Sequence, residues 1–237
     1  MDGLLLIDKP AHWTSFDVVN KVRRIAEAAR TDRGGRKRFP VGHTGTLDPL
    51  ATGLLVLLLG KYTKRATELT KLDKVYEVTM RLGMTSSTGD EEGEKSAQSQ
   101  ERPALEAIAA ALVVFTGSLM QTPPMFSAIK VHGIRAYELA RKGQTPELQP
   151  RPIQVYSLQM LSYEYPYVRF TTHVSSGTYI RTLVEDIGKE LGVGAYMSAL
   201  QRTRVGPFKI EDALQIESLR PETLSSILKG EENTVIA

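Results

Sequence analysis

The chain contains no cysteine, so disulfides and thiol catalysis are both excluded. Its four histidines, His12, His43, His132 and His173, are scattered without the HExxH spacing of a zinc site. No apolar run approaches the length of a membrane span, and Met1 to Lys9 lacks the basic start and cleavage site of a signal peptide. A cytoplasmic protein with no membrane association is the expectation. Phosphate cradles are also missing. No GxGxxG follows a strand, Gly53 and Gly60-Lys61 are too far apart for a P-loop, and Tyr62 stands where serine or threonine belongs. No serine-centred GxSxG elbow and no fixed-period repeat occur.

What is present is globular in composition. With 237 residues, 41% hydrophobic and 24% charged, the chain can bury a sizeable core as one large domain or two small ones. Net charge is +3, and its distribution says more than its size. Arg30, Arg33, Arg36, Lys37 and Arg38 face a single acid, Asp32, and Lys130, Arg135, Arg141, Lys142 and Arg151 outnumber Glu138 and Glu147. Two basic, loop-rich segments can track a phosphate backbone, or they can be solvated surface.

Taken in order, Gly3 to Ile7 reads as a short apolar strand, and Thr14 with Asp17 as a capping box opening a helix. Val18, Val19, Val22, Ile25, Ala26 and Ala29 form the apolar stripe of that helix. Leu54 to Leu59 has the length of a buried strand, and Thr63 to Leu72 reads as helix. Lys74 to Leu82 alternates, with Tyr76, Val78, Met80 and Leu82 on one face. Gly83 to Gln100 is polar and acidic and reads as a loop. Pro103 to Phe115 predicts an amphipathic helix, Ser127 to Val131 a short strand, and Ile134 to Arg141 a basic helix ended by Gly143. Ile153 to Tyr163 and Val168 to Val174 read as a hairpin. A helix follows Ser175 to Thr178, with Ile180, Leu183, Val184, Ile187 and Leu191 buried, and Met197 to Arg202 reads as strand. From Glu211 the pattern gives weak helices and a polar tail. Strands and helices interleave irregularly around at least one hairpin, which favours an α+β fold with a mixed sheet.

One stretch stands out chemically: Gly42-His43-Thr44-Gly45-Thr46-Leu47-Asp48-Pro49-Leu50-Ala51-Thr52-Gly53. It is a shaped loop running into an apolar strand, and it carries one acid and one histidine. A lone carboxylate there suits a nucleophile or general base. It equally suits an ordinary Asp-Pro turn. Tyr76 likewise reads either as a core tyrosine or as an aromatic stacking face. Arg181 sits in the first turn of its helix, where the macrodipole disfavours a cation. It either pairs with Glu185 on the surface or serves as the partner of a buried carboxylate.

The Gly42 to Gly53 stretch closely resembles the nucleophile motif of the TruB-type pseudouridine synthases, which modify the T loop of transfer RNA. The resemblance continues in order. Gly3 to Ser15 looks like the opening Lys-Pro motif, and Lys74-Val75-Tyr76-Glu77 the tyrosine motif. Pro123 to Lys130, with Gly133, Arg135, Ala136 and Tyr137, looks like an RNA-gripping insertion spanning about 123–152. Ser175 to Leu183 resembles the arginine motif, and Leu200, Arg202-Thr203, Gly206 and Phe208 the last one. Roughly residues 3 to 210 are covered.

The resemblance implies a mixed, largely antiparallel central sheet with flanking helices and an RNA-binding cleft. It implies isomerisation of uridine 55 in the tRNA T arm to pseudouridine, with no cofactor and no metal, by one catalytic domain over 1–210. Nothing in the sequence suggests a large apolar interface, so a monomer is the expectation. Asp48 would be the nucleophile, Arg181 its partner, and Tyr76 the stacking face. Tyr179 and Leu200 would wall the pocket. His43 would sit beside the displaced bases, and Lys9 and Lys130 would support the cleft and RNA contacts. Two departures accompany it. Ala26 to Phe39 is longer and more basic than the usual link, which suggests added phosphate contacts. Residues 211–237 are too few for the PUA domain of typical members. The rival readings are a T-arm RNA-binding or folding chaperone using the same cleft, and a hydrolase pairing Asp48 with Asp90. The second is disfavoured because Asp90 lies in an acidic, glycine-flanked stretch with no sign of burial.

Overall fold

The computed structural model describes residues 1–30, 38–127, 129–131 and 133–230. Of the basic link, Arg33, Arg36 and Lys37 lie outside the described residues. In chain order the elements are β1 (Gly3–Lys9), α1 (Ser15–Ala28), β2 (Val41–His43), β3 (Thr52–Leu59), α2 (Ala66–Thr70), β4 (Lys74–Leu82), β5 (Met84–Ser86), β6 (Lys95–Ala97), α3 (Leu105–Val114) and β7 (Gly117–Gln121). Then come β8 (Lys130–Val131), β9 (Ile134–Arg135), α4 (Ala136–Arg141), β10 (Arg151–Glu164), β11 (Tyr167–Val174), α5 (Ile180–Glu190), β12 (Ala195–Val205), β13 (Phe208–Lys209), β14 (Leu214–Gln215) and α6 (Leu224–Ile227). The expected α+β fold with a mixed, mostly antiparallel sheet is what forms. The chain divides into two compact units, Met1–Tyr76 with Leu200–Ala237, and Glu77–Ala199.

In the first unit β1 pairs antiparallel with β3, parallel with β14, and β3 pairs parallel with β12. The runs Leu4 to Ile7 and Leu54 to Leu59 are continuously apolar because both faces of this sheet are covered. Leu5, Ile7, Leu55, Leu57 and Leu59 pack with Val18, Val22 and Ile25 of α1. Leu4, Leu6, Leu54, Val56 and Leu58 pack on the other face with Leu69, Val205 and Phe208. Each such side chain contributes about 1.5–3 kcal/mol by leaving water. The capping box reads true: the Thr14 hydroxyl accepts from the Asp17 N–H, and the Asp17 carboxylate accepts from the Thr14 N–H. The segment after Glu211, expected as weak helices and tail, also lays β14 beside β1 and gives Ile216, Leu219 and Leu224 to the core.

In the second unit β10 forms antiparallel pairs with β11 and β7. The hairpin reads true, with strands a little longer than expected. Three local readings change. The stretch expected as a loop over Gly83 to Gln100 contains a β5–β6 ribbon, because Ser86, Thr88 and Asp90 satisfy one another instead of water. The strand expected over Ser127 to Val131 narrows to Lys130–Val131. The helix expected from Ile134 starts at Ala136, because Ile134 and Arg135 pair back onto Val131 and Lys130.

One rung of the first unit bears on everything below. In register, Lys9 faces Gly53 on one side and Arg202 faces Gly53 on the other. Gly53 has φ of +100°, and a Cβ there would lie 2.4 Å from the Arg202 carbonyl oxygen. Glycine is required both by its backbone angle and by the approach of the neighbouring strand. Gly53→Ala is expected to lower stability by at least about 2 kcal/mol in urea unfolding; an unchanged midpoint would contradict this packing.

Candidate active site

The Asp48 loop leaves the sheet through short, specific bonds. After β2 pairs with β3, the Thr44 N–H donates to Val56 at 3.1 Å. The chain then turns at Asp48-Pro49-Leu50-Ala51, where the Ala51 N–H donates to the Asp48 carbonyl at 3.1 Å. The Asp-Pro turn is therefore real. The main-chain carbonyl of Asp48 closes that turn, and the residue itself is half-buried.

The start of the chain clamps this turn. Lys9 is fully buried, and its ammonium donates to the carbonyls of Trp13 at 2.6 Å, Pro10 at 2.8 Å and Pro49 at 3.3 Å. Burial lowers its pKa to about 8, against the attraction of Asp48, which raises it. The His12 N–H also donates to Pro49, at 2.8 Å, from a left-handed backbone with φ of 65°. A non-glycine residue in that region marks a constrained position. The Ser15 hydroxyl accepts from the Leu47 N–H at 2.8 Å and lies 3.1 Å from the Leu47 carbonyl. Residues on both sides of Asp48 are thereby fixed.

From the other side comes Arg202, 1% exposed. It donates through Nε to Leu54 at 2.8 Å, through Nη2 to Gly45 at 3.1 Å and through Nη1 to Thr46 at 3.5 Å. The His43 Nδ1 accepts from the Gly45 N–H at 3.2 Å. Burial, helped by Arg202, holds the His43 pKa below its ordinary value, so the imidazole sits neutral beside the loop. Lys74 is buried and donates to the carbonyls of Thr70, at 2.7 Å, and Leu72. Burial and then Arg202 lower its pKa to about 8, with Asp73 opposing. Tyr76 is buried on β4, as its place in the alternation required, and Leu200 is buried on β12.

Lys9, His43, Asp48, Tyr76 and Leu200 all belong to the first unit; Lys130, Tyr179 and Arg181 belong to the second. Arg181 is buried, so the surface-pair reading fails. Its guanidinium donates to Phe126 at 2.8 Å and to Thr88 at 3.0 Å, and lies 3.6 Å from the Asp90 carboxylate. Asp90 is itself buried and accepts from the Thr88 hydroxyl at 2.5 Å and the Glu92 N–H at 3.1 Å. The expectation of an exposed Asp90 is corrected: its own hydrogen bonds, invisible in composition, fold the acidic stretch around it. Gln121 brackets the start of α5 by accepting from the Tyr179 N–H and donating to the Tyr179 carbonyl. Lys130 is exposed on the β8–β9 ribbon. Among the described residues no group of His, Cys, Asp or Glu is arranged to hold a metal ion.

Residues 35–180 match the TruB family pseudouridylate synthase N-terminal domain, and residues 181–231 match the tRNA pseudouridylate synthase B C-terminal domain. The chain belongs to the TruB family of pseudouridylate synthases. Within the family it is 43% identical over 230 residues to tRNA pseudouridine synthase B of Opitutus terrae, covering 97% of this chain and 91% of that one. It is 44% identical over 219 residues to the protein of the same name from Burkholderia lata, covering 92% of this chain and 65% of the relative. Among solved structures, a Cbf5–Nop10–Gar1 complex superimposes with a TM-score of 0.69 at 32% identity, covering 92% of this chain and 53% of that chain. An H/ACA ribonucleoprotein bound to a substrate RNA containing 2′-deoxyuridine gives 0.66 at 29%, over 92% of this chain and 52% of that chain. The chain thus spans about half the length of the solved chains it matches.

Two buried cations next to the Asp48 loop lay outside the sequence-based site set. Arg202 and Lys74 were each visible only as part of a matching motif. The depressed lysines give a measurable signature. Folded Lys74 releases its proton near pH 8, whereas the unfolded chain holds it to about 10.5. Between those values the unfolded state binds more protons, so this lysine's contribution to stability rises with pH. The stability difference between the wild type and Lys74→Met is expected to move in favour of the wild type from pH 8 toward 10.5 in urea titrations; a flat difference would contradict the burial.

Proposed function

We propose that this chain isomerises uridine 55 in the T loop of tRNA to pseudouridine, with Asp48 as the nucleophile. The observation that carries the reading is the clamped Asp48 turn, whose carboxylate lies within electrostatic reach of the buried Lys9 ammonium. Family membership and the names of the relatives support the reaction and the RNA.

The balance of the reaction needs neither oxidant nor co-substrate. The bond between N1 and C1′ breaks, a bond between C5 and C1′ forms, C5 loses a proton and N1 gains one. Asp48 attacks the base or C1′ and leaves again, so the enzyme is regenerated. A loop uridine stacked in folded RNA is out of reach and must be flipped, at a few kcal/mol. Tyr76 supplies the aromatic face for it, and Tyr179 and Leu200 enclose it. Arg181 is the counter-ion of Asp48 in this reading, and the Thr88 and Phe126 carbonyls hold its guanidinium in one orientation. A neutral His43 suits contact with displaced bases better than with phosphates. Lys130, with the exposed Arg135, Arg141 and Lys142, provides backbone contacts whose strength falls with salt.

Asp48→Asn keeps the shape of the turn and removes the nucleophile. It is expected to bind an unmodified tRNA transcript about as tightly as wild type and to form no pseudouridine. Product formation by the variant would remove Asp48 from the mechanism. Wild-type binding without product from either protein would favour an RNA-folding role for the same surface.

A further inference from the structure

Among the described residues Arg202 is the largest fully buried side chain, and it is a cation. Its partners are not carboxylates. Its hydrogen bonds go to the main-chain carbonyls of Gly45 and Thr46, just before Asp48, and of Leu54, just after Gly53. One side chain therefore ties both ends of the Asp48 loop to β12. Arginine suits this because its rigid fork offers five donors, whereas an ammonium on a flexible stem would satisfy fewer carbonyls at these angles. Gly53 lets the two strands approach closely at this point: a Cβ there would lie 2.4 Å from the Arg202 carbonyl oxygen.

The same charge acts at a distance. Arg202 lowers the proton affinity of His43, Lys9 and Lys74, each on a different element around it. Asp73 offsets this at Lys74, and Asp48, Asp17 and Asp8 offset it at Lys9. Asp48 lies close enough to Lys9 to attract its charge, and a cationic surrounding favours the ionised form of a carboxylate.

We propose that Arg202 is a positioning residue of the reaction: it holds the main chain of the Asp48 loop in its reactive shape and keeps the Asp48 carboxylate ionised. The inference rests on the reading of Asp48 as nucleophile. It assigns two separable jobs, geometry to the fork and ionisation to the charge, and two substitutions divide them. Arg202→Lys keeps the charge and loses the fork. Arg202→Gln keeps a donor and loses the charge.

The test is single-turnover pseudouridine formation on an unmodified tRNA transcript, measured across about pH 4 to 8, around and above the ordinary aspartate pKa. Transcript affinity and thermal unfolding are followed for the full chain of each protein. Both variants are expected to bind the transcript like wild type. Arg202→Lys is expected to lose about 10- to 100-fold in rate with its acid limb unmoved, the effect of a misplaced reacting group. Arg202→Gln is expected to lose rate and to shift its acid limb upward by about one pH unit. Rates that fall only with the folded fraction, with both acid limbs at the wild-type position, would overturn the proposal, as would unchanged rates. Should both variants fail to fold, the wild type decides. The Asp48 carboxyl, identified by 13C NMR through its loss in Asp48→Asn, is expected to titrate below the ordinary aspartate value of about 3.9. Titration at or above that value overturns the proposal. An active Asp48→Asn would instead overturn the nucleophile assignment, so the two failures are told apart.

Discussion

Buried positive charge beneath a loop of carbonyls is the constraint around which the first unit is built. Lys9, Gly53 and Arg202 occupy one rung across three strands, at the point where the Asp48 loop emerges. Stripping a cation of water costs several kcal/mol unless its donors are satisfied. Here main-chain oxygens do that work: Pro10, Trp13 and Pro49 for Lys9, and Gly45, Thr46 and Leu54 for Arg202. Three of those oxygens, of Gly45, Thr46 and Pro49, belong to the Asp48 loop itself. Folding the loop and solvating the charges are thus one event, and the apolar strands β1 and β3 supply the driving force by burying both faces.

The same arrangement reconciles two readings of Asp48 that looked exclusive. Its main chain is an ordinary turn, and its side chain is a carboxylate near the buried Lys9 ammonium. The Pro49 carbonyl, bound by both the Lys9 ammonium and the His12 N–H, joins the two roles. In the second unit Arg181 follows a parallel logic, with the Thr88 and Phe126 carbonyls and the Asp90 carboxylate fixing a guanidinium.

What was legible in the sequence was what depends on near neighbours. The capping box of α1, the alternation of β4 and the apolar runs of β1 and β3 follow from spacing, and they formed. The Asp48 loop was legible as a shaped loop, and the chemistry proposed for it rests on a family resemblance. What depends on distant partners was not legible. Arg202 meets Gly45 and Thr46 from the far end of the chain, and nothing in its own surroundings in sequence marks it as buried. Asp90 looked solvated because acids cluster near it; its bonds to Thr88 and Glu92 bury it. The left-handed His12 carries no sequence signal, since glycine is the usual residue there. The β14 pairing escaped notice because two residues are too few for a periodicity.

The central claim is that the protein, as this chain alone, converts one T-loop uridine. The direct measurement is nucleotide-resolution mapping of pseudouridine in an unmodified tRNA transcript incubated with the purified chain. The account predicts a single conversion, at uridine 55 of the T loop, without added metal or cofactor. No conversion, or conversion spread over other uridines, would contradict it.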